Sequence, residues 1–99
     1  MGDRRFETRF PTCEPVEVCW VEANVDQTCS GYLRDYSQSG ARIEITRPLR
    51  FQTRIQVTVR DQRLSASVKS CSRAAFGFMV GVEFPAEFAG VLTALRRRS

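Results

Sequence analysis

The sequence predicts an all-β fold: a six-stranded antiparallel β-barrel followed by one C-terminal α-helix. Three observations lead to that class. Short runs in which apolar and polar residues alternate recur along most of the chain, the period-two signature of strands with one buried face. Gly, Pro, Asn and Asp punctuate these runs at short intervals, as in closed or nearly closed antiparallel sheets. After Pro85 the apolar spacing lengthens to that of a helix. Ninety-nine residues supply one modest core and not two, so residues 1–99 read as a single domain.

Residues 1–14 read as a charged, flexible arm, kept out of a helix by Pro11 and Pro15. The barrel is expected over 15–84. Val16, Val18 and Trp20 alternate with Glu17, Cys19 and Val21 in a first strand, and Asn24 to Asp26 forms a turn. A second strand runs from Cys29 to Asp35, with Gly31 permitting a bulge or a close backbone approach. Gly40 opens the third, which buries Ala41, Ile43 and Ile45, shows Arg42 and Glu44 on the other face, and stops before Pro48. Ile55, Val57 and Val59 define the fourth. An Asp61-Gln62 turn leads to the fifth, where Leu64, Ala66 and Val68 face inward. The sixth carries Phe76, Phe78, Val80, Val82 and Phe84 as one core stripe. Phe88, Val91, Leu92 and Leu95 fall at helical spacing within 86–98, in a helix too short to stand alone.

Composition bounds the function. The apolar content of 42% and charged content of 26% are those of a soluble globular protein. A net charge of +4 favours an anionic partner, and all but one of the 15 basic residues are arginine, the exception being Lys69. Planar guanidinium forks suit bidentate recognition, although a GC-rich genome would give the same bias. No apolar run approaches a bilayer span and the N-terminus lacks a signal-peptide core, so a cytoplasmic location without membrane contact is expected. Cys13, Cys19, Cys29 and Cys71 lack zinc-site spacing, and there is no histidine, so the reading is free thiols, with Cys29 and Cys71 half-buried, and no metal. Without histidine there is no Ser-His or Cys-His nucleophile, and the scattered carboxylates form no acid–base pair. The expectation is a non-catalytic domain without a cofactor.

Two polar signatures remain. The first is Arg5-Phe6-Glu7-Thr8-Arg9, an R-x-x-x-R pair in the arm, and the second is Asp35-Tyr36-Ser37-Gln38-Ser39-Gly40, a D-x-S-x-x-G at a strand end. Guanidinium groups grip phosphates and stack on bases, and a carboxylate with a nearby hydroxyl accepts hydrogen bonds from a guanine edge. Taken singly, the arm also reads as a solvated basic stretch paired with Asp3 and Glu7, and the second signature as an ordinary turn.

In this order, in a chain of this size, the two signatures resemble the PilZ domain, a bacterial receptor module for the second messenger cyclic di-GMP. The resemblance runs from Arg5 to about Phe84 and is complete at every fixed motif position. It implies a six-stranded barrel with a trailing helix. It also implies that Arg5 and Arg9 hold the ligand's phosphates and stack on its guanines, while Asp35 and Ser37 contact it from the barrel surface and Gly40 permits close approach. Arg4, just before the first motif arginine, is placed to reach a second ligand molecule. Gly81, in a Gly-Val-Glu-Phe stretch similar to the family's last strand, leaves room near the ligand. Arg34 and Arg42 flank the second motif and enlarge the positive surface. A receptor of this kind signals by reordering its arm against a protein partner. The alternatives are a PilZ-like adaptor that binds a protein without nucleotide and, ranking last, a small basic barrel for single-stranded nucleic acid.

Overall fold

The computed structural model describes residues 8–85. Its six strands are β1 (Phe10–Glu22), β2 (Val25–Tyr36), β3 (Gly40–Ile45), β4 (Arg54–Val59), β5 (Gln62–Ala74) and β6 (Gly77–Glu83). All neighbours are antiparallel and the sheet closes on itself in the order β1-β2-β3-β6-β5-β4. The all-β barrel expected from the alternation is thus observed. The helix expected over 86–98 lies outside the described residues, as do Arg4 and Arg5 of the arm.

The inward residues are those the alternation selects: Val16, Val18 and Trp20, Ile43 and Ile45, Ile55, Val57 and Val59, Leu64, Ala66 and Val68, Val80 and Val82 are all buried. Burying an aliphatic side chain of this size contributes about 1.5–3 kcal/mol, so this interior drives the fold. Among the described residues Ala41, Leu49, Tyr36 and Phe84 are buried with them.

Four expectations need correction. β1 begins at Phe10, inside the stretch assigned to the arm, because its first residues already pair with β2, while among the described residues β4 joins over Val16–Cys19. Proline is tolerated on such a one-sided stretch, where no second ladder needs its N–H. Phe10 also packs its ring against Tyr36, centroids 5.6 Å apart, and so anchors the segment. Second, β2 starts at Val25, since the β1–β2 turn is the two-residue pair Ala23-Asn24, both at positive φ (52° and 65°). That geometry matches the twist of a tight hairpin, and it shifts the turn back from Asn24–Asp26. Similarly, the β4–β5 turn is Arg60-Asp61, between the paired Val59 and Gln62. Third, Phe76 is not core: it sits in the β5–β6 turn, beyond the pairing of Ala74 with Gly77, and is 88% exposed. Fourth, Cys71 is exposed on the outer face, whereas Cys29 is half-buried, and burial pushes its thiol pKa up.

Three register shifts interrupt the ladders, in β1 between Pro11 and Glu14, in β2 between Leu33 and Asp35, and in β5 between Val68 and Ser70. They bracket one row across the outer face, in which Pro11, Asp35, Arg42, Gly81 and Ser70 are successive partners. At Gly31 β2 lies so near β3 that a Cβ would collide with the Glu44 carbonyl.

Candidate functional site

The bulge in β2 creates the site. Leu33 points into the core, so strict alternation would send Asp35 inward as well. The extra residue at Arg34 resets the parity, so that Asp35 pairs with outward-facing Arg42 while Tyr36 pairs with Ala41 and returns to the core. Bulges re-aim side chains in this way at barrel rims and functional sites.

Asp35 is nonetheless buried, because two guanidinium groups cover its carboxylate. Arg9, from the chain just before β1, donates to Oδ1 from Nε at 3.0 Å and from Nη2 at 2.5 Å. Arg42, from β3, donates to Oδ2 from Nε at 2.7 Å, with Nη2 2.5 Å from the same oxygen. Burial alone would push the Asp35 pKa up, but the hydrogen bonds and charges of Arg42 and Arg9 outweigh it and hold it below the ordinary value. Asp35 correspondingly raises the pKa of Arg42. Arg34 turns away toward Glu44, at 3.7 Å.

The remainder of the second motif is a turn that is held from both sides. The Ser37 N–H donates to the Gly40 carbonyl at 2.8 Å, and the buried Ser37 hydroxyl lies 3.4 Å from the same oxygen. The Phe84 N–H donates to the Ser39 carbonyl at 2.8 Å, tying the loop to the end of β6. Gly40 has a packing reason of its own: a Cβ would sit 2.5 Å from the Val82 carbonyl oxygen. Gly81 is the outward neighbour of Arg42, and a Cβ there would collide with the Ser70 hydroxyl.

Of the residues named from sequence, Arg9, Asp35, Ser37, Gly40 and Gly81 gather around this rim and the adjacent row. Arg42, read only as a flanking charge, is a direct partner of Asp35. The visible signal was its place two residues after the motif glycine on the outward face; the missing information was the bulge that sets Asp35 opposite it. Two open grooves lie apart from Asp35, one of about 840 Å³ bordered by Glu17, Tyr32, Glu44 and Phe76 and another of about 940 Å³ bordered by Trp20, Gln27, Arg54 and Ser65. Among the described residues no cluster of His, Cys, Asp or Glu is arranged to hold a metal ion. No helix among them is long and apolar enough to cross a membrane.

The sequence profile of the PilZ domain matches residues 3–96. The chain belongs to the PilZ domain family. As a fold, this PilZ domain is similar to that of CeSA from a cellulose-synthesizing bacterium, at 20% identity and a TM-score of 0.61, over 93% of this chain and 99% of that one. It is also similar to Escherichia coli YcgR in complex with c-di-GMP, at 19% identity and a TM-score of 0.64. That match covers 96% of this chain but only 47% of the other, so the chain spans about half of YcgR. The PilZ domain of YcgR with c-di-GMP matches over 97% of this chain and 94% of its own length, at 16% identity and a TM-score of 0.62. No match to a curated protein was found.

Proposed function

We propose that this PilZ domain is a receptor for cyclic di-GMP that acts without catalysis, by changing the surface around its N-terminal segment. The observation that carries this reading is the meeting of the two motifs: Arg9 and Asp35, 26 positions apart, touch at the rim. A phosphate-binding cation and a guanine-reading carboxylate are therefore side by side, as a ligand with both groups requires. The occurrence of c-di-GMP in the similar YcgR structures supports the same ligand.

In this reading Arg5 and Arg9 hold phosphates and stack on guanines, Asp35 and Ser37 accept and shape the guanine edge, and Gly40 and Gly81 keep the approach open. Arg4 stacks on a second ligand molecule, giving two per chain. The rearranged segment then presents a surface to a protein partner in the cytoplasm. Affinity measurements on single variants test the assignment. Arg9→Ala and Ser37→Ala are expected to weaken cyclic di-GMP binding by about ten-fold or more, since about 1.4 kcal/mol is a factor of ten and each change removes at least one contact. Unaltered affinity in both, with intact circular dichroism spectra, would remove the reading.

A further inference from the structure

The Asp35 carboxylate has no room for a guanine as it stands. An ionised carboxylate offers about four lone-pair positions. Four guanidinium nitrogens lie against them, two from Arg9 on Oδ1 and two from Arg42 on Oδ2. A guanine N–H can reach the carboxylate only if one arginine leaves.

The two arginines are not equally free to do so. Arg42 lies in the middle of β3, laddered to Asp35 of β2 on one side and to Gly81 of β6 on the other. Arg9 precedes the first residue of β1, and among the described residues the stretch that follows it is laddered to β2, with β4 joining from Val16. Moving Arg42 off Asp35 while keeping its backbone in place gives up a contact built into the sheet register. Moving Arg9 gives up no strand register, because it lies before the first residue of β1.

Resting on the receptor reading, we infer that ligand binding is an exchange at Asp35: Arg9 passes from Oδ1 to a ligand phosphate, opening Oδ1 to a guanine N–H, while Arg42 stays on Oδ2 as the positioning residue that fixes the carboxylate plane. Two consequences follow. Guanine reading is linked to phosphate binding, because the cation that leaves the carboxylate is the one the phosphate engages. And Arg42, which need not touch the ligand, sets the preference for guanine over a base with fewer donors.

The test compares cyclic di-GMP with cyclic di-IMP, which keeps both phosphates but lacks the 2-amino donor on each base. The native chain is expected to prefer cyclic di-GMP by about ten-fold, the size of one well-made hydrogen bond. Arg42→Met is expected to bring that preference to within about two-fold of parity, and Arg42→Lys to restore part of it. Side-chain Nε–H resonances give an independent reading: Arg9 is expected to shift on saturation with cyclic di-GMP and Arg42 to remain hydrogen-bonded. Thermal melting confirms that each variant is folded, and Arg42→Gln replaces the Met variant if that one is not. A folded Arg42 variant that keeps the full preference, or loses both ligands equally, would overturn the inference while leaving the receptor reading intact. Failure of the native chain to bind either ligand would overturn both.

Discussion

Asp35 shows how one side chain acquires its character from the fold around it. Burial opposes its ionisation, and Arg42 and Arg9 more than compensate, so its folded pKa lies below the ordinary 3.8. A depressed carboxylate pKa contributes stability that is present in full above the unfolded value and is lost as pH falls through the folded one. Asp35→Asn is therefore expected to be less stable than the native chain near neutral pH, with the difference shrinking as the pH drops below about 3.8. Denaturant melts of both proteins across that range check it. A difference independent of pH would mean that the ionised form contributes nothing. At this scale the sequence named Asp35, Ser37, Gly40 and Arg9 through their motifs, but the partnership of Asp35 with Arg42 was not legible. Alternation puts Leu33 and Asp35 on one face, and only the extra residue at Arg34 separates them.

Among the elements, the strands with clean alternation were legible and their ends were not. β3 and β4 fall where Ala41 to Ile45 and Ile55 to Val59 alternate, because each strand has one core face and one solvent face. Phe76 extended the β6 stripe by pattern, yet a two-residue turn removes it from the sheet, and periodicity carries no information on where pairing stops. Pro11 and Pro15 disguised the start of β1, since proline opposes a two-sided strand but fits a one-sided one. Gly31 was flagged as either a bulge or a close approach, and the contact of β2 with the Glu44 carbonyl settles it as the latter. Gly31→Ala is thus expected to destabilise the barrel by about 1–3 kcal/mol, because backbone rather than a flexible side chain would have to yield. Urea unfolding measures this, and a loss below about 0.5 kcal/mol would show that the two strands separate easily.

Across the whole molecule, closure leaves β6 flanked by β3 and β5, while among the described residues the first residues of β1 are laddered to β2 and not to β4. Protection from amide exchange is expected to follow that difference, highest in Gly77–Glu83 and lower before Val16. Adding cyclic di-GMP is expected to raise protection near Phe10 and from Asp35 to Gly40, with little change in β6. Protection that rises uniformly would mean global stabilisation without a local rearrangement. Binding is also expected to weaken only moderately with salt, since a ligand with two phosphates displaces few ions compared with a nucleic-acid strand. The most direct measurement is a calorimetric titration of the native chain with cyclic di-GMP, with GMP and GTP as controls. The expected result is saturable binding of cyclic di-GMP alone, at two ligands per chain, falling toward one in Arg4→Leu. Absence of binding, or equal binding of GMP, would contradict the receptor reading at its root.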